Sequence, residues 1–413
     1  MAPPRRDREG PRGKWATNMN VMISSVVRLI VAGAAITLIS PAALAGDATE
    51  EGSEKGGGTL RKVAAGTHDG HAFGPRIRPD GKWVAYGVRE ELKGTFVTKY
   101  YARSLVEEGV FRSIWPNAHP SFGEGEGTAS FTDLVGFEWA RDGEFDHNAM
   151  VALHKTLGEE MLLETMNVRL GGPGPQNNPA ISPDGSRVVV VSAGDGGTTD
   201  LWVIDTRDDA EALQVTFTEK DNEARPVWHP KGEKIVYESR NRLGSDIWAF
   251  DFSTFEREHI TKEGTSDELA PAYSPSGKSL AYITNANDPE KLRWDVVVAN
   301  SAGGLPTIVI PNVRRSEKSR GYVWGPLGKF IVAVQNDEAA GFPLVIAPSD
   351  GSKAPQALST TVDNADPELV AFGPAVRLTW VAMDTDRPAD RRYRIVMVSD
   401  YDLTELQKLL SAE

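Results

Sequence analysis

There is no cysteine in the 413 residues. That excludes a disulfide framework, a thiolate metal site, a thiol nucleophile and a lipid anchored on cysteine. Positive charge is short as well: 45 Lys and Arg stand against 58 Asp and Glu, a formal net charge of −13. Phosphate binding needs a basic footprint, so nucleic acid is not an expected partner. Catalytic signatures are lacking too. No G-x-S-x-G elbow, H-E-x-x-H pair, Walker loop or dinucleotide fingerprint occurs, so the residues call for no cofactor and favour a protein that is not an enzyme. Long apolar runs are almost missing, and the one present, residues 29–39, is short for a membrane span.

That run has a recognisable setting. Arg5, Arg6, Arg8, Arg12 and Lys14 precede it, and it leads to Pro41 and Ala43-Leu44-Ala45, a small-x-small cleavage site. Residues 1–45 therefore read as a signal peptide, with no stable membrane span expected after cleavage and the periplasm or the outside medium as destination. Removing them leaves a net charge of −17. Residues 46–58, GDATEEGSEKGGG, read as a flexible acidic linker.

The rest of the chain is a repeat. PRIRPDGKWVAY from Pro75, PAISPDGSRVVV from Pro179, PVWHPKGEKIVY from Pro226, PAYSPSGKSLAY from Pro271 and YVWGPLGKFIVA from Tyr322 are copies of one unit. In each, a short apolar run meets a Pro-x-Gly turn, where Pro presets φ and Gly supplies a positive φ, and an apolar β-branched run follows. A third run comes after a polar loop: DLWVID from Asp200, DIWAFD from Asp246, DVVVAN from Asp295. Four antiparallel strands per unit, with no helical period between them, describe a β-propeller blade. FEWARDGEF from Phe137 and VAFGPAVRLTWVA from Val370 are weaker copies, which brings the expected count to seven blades, or six if residues 137–170 are an insertion. The last copy runs out of strands, because DLTELQKLLSAE after residue 400 is patterned as a helix with Asp402 as cap. TLRKVAA from Thr59 is a spare strand that fills the gap and leaves no open edge. The expected boundaries are a signal peptide over 1–45, the linker over 46–58, an all-β propeller over 59–400 and a helix over 401–413.

The pattern P-x-W/I/Y-S-P-D-G-K-x-I-A-Y followed by D-I/L-W-V-x-D resembles the propeller repeat of the TolB-like family, also called WD40-like or PD40. The resemblance covers roughly residues 59–400 and is specific for the fold. It implies a periplasmic or secreted protein that works at the cell envelope. It does not fix the activity, because the same blade serves scaffolds, oligopeptidase propeller domains and oligogalacturonate lyases.

In a propeller the loops from each blade's outer strand to the next blade's inner strand gather at one mouth of the channel. Those loops supply His68, Asp69, His71, Asp221, Glu223, Arg225, Asp267, Glu268, Asp363 and Asp366, and a basic arc of Arg314, Arg315, Lys318 and Arg320. Opposed charges of this kind suit an envelope protein or peptide segment bound at the mouth by a monomer. Any metal would fall to His68, His71 and His119. Two histidines on an irregular loop more often satisfy backbone groups, so no metal is expected. The alternative reading is a lyase or hydrolase acting on acidic oligosaccharides, metal-assisted or not.

Overall fold

The computed structural model describes residues 50–53, 57–63, 70–77, 80–92, 95–107, 111–114, 133–142, 145–154, 164–169, 177–184, 186–193, 197–205, 212–261, 266–316 and 319–411. The chain divides after Ala45, and the segment expected to be a signal peptide lies outside the described residues. Two strands lead, β1 (Glu50–Ser53) and β2 (Thr59–Val63). The first sheet is β3 (Gly70–Ile77), β4 (Trp83–Leu92), β5 (Thr95–Ser104) and β6 (Phe111–Ile114). The second has three strands, β7 (Asp133–Asp142), β8 (Phe145–His154) and β9 (Glu164–Arg169). The third is β10 (Asn177–Ile181), β11 (Arg187–Ala193), β12 (Thr199–Asp205) and β13 (Leu213–Gln214), and the fourth β14 (Asn222–Trp228), β15 (Lys234–Arg240), β16 (Ser245–Asp251) and β17 (Glu256–His259). The fifth is β18 (Glu268–Tyr273), β19 (Ser279–Thr284), β20 (Asp295–Asn300) and β21 (Thr307–Ile310), and the sixth β22 (Tyr322–Trp324), β23 (Phe330–Val334), β24 (Leu344–Pro348) and β25 (Gln356–Ala357). The seventh joins both ends of the described chain in the order β1, β2, β28 (Arg394–Asp402), β27 (Ala375–Met383), β26 (Ala365–Phe372). One helix, α1 (Leu403–Ser411), follows.

The repeat motif explains the local structure. The turn glycines Gly81, Gly232, Gly277 and Gly328 all sit at φ between 67° and 71°, the left-handed region where a side chain is strained. At Gly277 a Cβ would also run into the His229 ring of the neighbouring sheet. The second strands of the third, fourth and sixth sheets are apolar on both faces because they are covered on both sides, and Val188, Val189, Ile235, Val236, Ile331 and Val332 have no exposed surface.

Neighbouring sheets share apolar clusters, third with fourth, fourth with fifth, fifth with sixth, sixth with seventh, and seventh with first. Polar bonds fix the register between them. The indole N–H of Trp228 donates to Ala180 O at 2.9 Å, and that of Trp324 to Ala272 O at 3.2 Å. These tryptophans pack between sheets. Arg377 donates to Gly81 O at 2.7 Å and Arg76 pairs with Glu368, so the seventh sheet is bound to the first.

The ends meet as the spare strand requires: β2 pairs with β28 from Thr59 opposite Asp400 to Val63 opposite Val396. The segment read as a linker holds a strand of its own, because β1 takes up the outer edge that β2 would leave unpaired. At the other end the Asp402 carboxylate accepts the N–H groups of Thr404 and Glu405 at 2.7 and 3.2 Å, the N-cap expected from the sequence. No helix among the described residues is long and apolar enough to cross a membrane.

Candidate functional site

Strands that alternate in direction bring two kinds of connection to the same face: the loop entering each first strand and the hairpin between the second and third strands. Hydrogen bonds tie these connections to one another around the rim. Thr199 N–H donates to Asn222 Oδ1, Ser245 N–H to Asp267 Oδ1 and Asn312 N–H to Asp295 Oδ1, at 3.2, 3.0 and 2.9 Å. Asp363 N–H then donates to Gly341 O, and Arg394 N–H to His71 Nδ1. Sheets three to seven and the first thus share one rim.

In the first strands of the first, fourth, fifth and seventh sheets the residue before the proline has a positive φ, 52° at Gly74, 47° at Arg225, 55° at Ala270 and 53° at Asp366. The pairing register shifts at each of these points. Such bulges re-aim side chains, and here the freed groups find partners on the next sheet. Gly74 N–H donates to Asp366 Oδ2 at 2.9 Å, and Ala270 N–H to Glu238 Oε1 at 2.6 Å.

Most of the acidic candidates are committed to holding the rim. Glu223 is 1% exposed and accepts from Thr218 Oγ1 at 2.8 Å, with the Arg257 guanidinium 3.4 Å away. Glu268 is also buried, accepts from Ser266 and Thr284, and has its carboxyl pushed up by burial. Asp267 caps the fourth sheet's hairpin through Ser245 N–H. Asp363 lies between Arg314 at 2.7 Å and Arg394 at 2.8 Å, and these pairs hold its carboxyl below the ordinary range against the opposing effect of burial. Asp366, nearly buried, accepts from Ser316 and Ser319 at 2.5 and 2.8 Å. Asp221 gives its carbonyl to Thr218 Oγ1.

The cations are disposed differently. Arg225 reaches Glu238 at 3.3 Å and Ser316 O at 3.2 Å. Ser316, in the loop entering the sixth sheet, therefore touches both the fourth and the seventh. Arg315 lies with its guanidinium 4.5 Å from the Trp294 ring centroid. Its pKa is lowered by partial burial first, then by the charges of Arg225 and Arg240. Among the described residues no carboxylate lies within ion-pair distance of Arg240, Arg315 or Arg320.

His71 accepts a backbone N–H through Nδ1 and packs edge-on against Tyr393. His68, Asp69, His119 and Lys318 lie outside the described residues. Among the described residues no group of three or more His, Cys, Asp or Glu is placed to hold a metal. Arg240, Glu238, Trp294 and Arg394 were not singled out in the sequence. Strand alternation was the available signal, since the second-to-third hairpins reach the same face as the loops considered.

The stacked four-stranded sheets and the repeat define the class: the chain carries a TolB-like β-propeller. The TolB beta propeller domain family, PD40, matches residues 167–314, the span of the third to fifth sheets. Dipeptidyl-peptidase 5 of Porphyromonas gingivalis is 31% identical over 93 residues, 20% of this chain and 14% of that protein. The oligogalacturonate lyase of Vibrio parahaemolyticus has a similar structure, with a TM-score of 0.58, 12% identity, and coverage of 87% of this chain and 98% of the lyase. A puromycin-hydrolyzing peptidase of Mycobacterium tuberculosis gives 0.53, 13% identity, and coverage of 86% of this chain and 54% of the peptidase. TolB from Acinetobacter baumannii is matched over 83% of this chain and 59% of TolB, with a TM-score of 0.38 and 14% identity. The chain thus spans only part of the length of the peptidases and of TolB.

Proposed function

We propose that the seven sheets close as a seven-bladed ring and that the protein is an exported, periplasmic or secreted interaction module that captures an anionic partner at the mouth. The partner is an envelope protein or peptide segment. One observation carries this reading: in a chain of net charge −13, Arg240 and Arg315 stand beside Arg225 on the rim, and among the described residues no carboxylate is paired to either. Like charges held together repel, so an arriving anion relieves that repulsion as well as gaining its own contacts.

The test is the double variant Arg315→Glu with Arg320→Glu, titrated with an oligoglutamate peptide in a calorimeter at low and at physiological salt. Binding by the wild type that weakens with salt, and a loss of about tenfold or more in a variant that melts normally, is the expected result. Unchanged affinity in the folded variant would count against the mouth.

A second reading takes support from the structural likeness to the oligogalacturonate lyase, which is covered over 98% of its length. The same cations would receive an acidic oligosaccharide. Of the three histidine candidates for its metal-assisted form only His71 is described, and the His71 Nδ1 accepts the Arg394 N–H. Turnover of oligogalacturonate to an unsaturated product would establish lyase activity.

A further inference from the structure

We infer that the partner captured at the mouth is an acidic peptide that also carries apolar side chains, laid across the rim of the fourth and fifth sheets. This rests on the reading above. Leu243, in the hairpin between β15 and β16, is 86% exposed, and Leu292, in the loop between β19 and β20, is 71% exposed. Both connections emerge at the rim, and the two sheets that carry them are packed together.

Neither leucine sits on a loose tip. Leu243 N–H donates to Asn241 Oδ1 at 2.8 Å, Asn241 N–H to Gly244 O at 2.9 Å, and the hairpin is anchored to the next sheet through Asp267. In the other loop, Asp288 Oδ2 receives the N–H groups of Leu292 and Arg293 at 2.9 and 2.8 Å. Two large aliphatic groups are therefore held in water by built loops. Holding them rigid lowers the ordering cost of covering them.

Cations surround them. Arg240, Arg242, Lys291 and Arg293 are exposed on the same connections, and Arg315, exposed in the loop entering the sixth sheet, lies close enough to feel the charge of Arg240. Of the described acids there, Asp267 and Asp288 are turned onto backbone N–H groups, with Asp288 also 3.9 Å from the Arg293 guanidinium, and Glu290 is exposed. A surface of fixed leucines among arginines and lysines matches a segment that alternates acidic and apolar side chains.

The aromatic groups argue against a sugar chain. Sugar rings stack on open aromatic faces, but the face of Trp294 is covered by Arg315 at 4.5 Å and that of Phe342 by Arg314 at 4.0 Å. Trp294 is only 7% exposed.

The experiment compares four probes by fluorescence anisotropy: a short synthetic peptide alternating glutamate with leucine, the same peptide with serine for leucine, an oligoglutamate, and an oligogalacturonate of equal charge. The proteins are the wild type, Leu243→Ser with Leu292→Ser, and Arg240→Glu with Arg315→Glu, each checked by thermal melting. The glutamate–leucine peptide should bind the wild type about tenfold or more tightly than its serine counterpart, and each double variant should lose about that factor. Equal binding of the two peptides by the wild type overturns the inference without any variant. Loss in the arginine variant alone also overturns it, while leaving intact the reading of a mouth that captures an anion. Tighter binding of oligogalacturonate overturns it in favour of a saccharide. No binding of any probe overturns both readings.

Discussion

Glu223 has more acceptors around it than protons to fill them. The Thr218 hydroxyl lies 2.8 Å from Glu223 Oε2, 3.2 Å from Asp200 Oδ1 and 3.0 Å from Asp221 O, and it has one hydrogen to give. Burial, opposed by Thr218 and Arg257 and reinforced by Asp200, pushes the Glu223 carboxyl up to about 8 from its ordinary 4.5. The native state then keeps a proton over that interval that the unfolded chain releases. Stability from this group is therefore fully present below about 4.5 and is lost as pH rises towards about 8. Glu223→Gln, of the same shape, should flatten this part of the curve of melting temperature against pH and exceed the wild type above about 8. An unaltered slope would show that Glu223 is ionised in the native protein. Asp363 is the opposite case, a carboxylate between two guanidinium groups. Asp363→Asn leaves Arg314 and Arg394 without their counter-charge and should cost about 2 kcal/mol in urea unfolding, partial exposure having been allowed for. A change below about 0.5 kcal/mol would mean that solvent already screens both pairs.

Among the elements, legibility in the sequence followed chemistry that is local. Pro-x-Gly turns, β-branched second strands and the Asp402 cap all act within a few residues, and each was readable as a string. The bulges before the first-strand prolines were not. Gly74, Arg225, Ala270 and Asp366 occupy one conformation with four unlike side chains, because the pairing register, rather than the residue, imposes the positive φ. The rim was readable as a place, but the state of its charges was not. Whether Asp363 stands free or neutralised depends on Arg394, which reaches it from a different strand. Two substitutions test the inter-sheet bonds that the repeat does reveal. Trp324→Phe removes the indole donor to Ala272 O, a carbonyl that keeps its place in the ladder opposite Ala281, and should cost about 0.5–1.5 kcal/mol by chemical denaturation. Gly277→Ala meets both the positive φ and the His229 ring, and should lower the unfolding free energy by about 1 kcal/mol or more in the same measurement. If either variant matches the wild type, the packing of the fifth sheet against its neighbours is looser than the hydrogen bonds indicate.

At the scale of the whole molecule, the binding surface exists only if the sheets run round and return. The bonds from the seventh sheet to the first and the pairing of β2 with β28 are what a closed ring needs. They also explain why β2, at the start of the described chain, lies in the last sheet. Because the chain contains no cysteine, closure can be probed with one introduced pair, Leu60→Cys with Ser399→Cys, whose Cα atoms face each other across β2 and β28. Directly opposed antiparallel residues lie about 4.5–5.5 Å apart, within disulfide reach. The account predicts that the bond forms within one molecule under mild oxidation without denaturant, raises the melting temperature by several degrees through a constraint of about 4–5 kcal/mol on the unfolded chain, and leaves peptide binding unchanged. Thiols that stay free, or that link only different molecules, would contradict it.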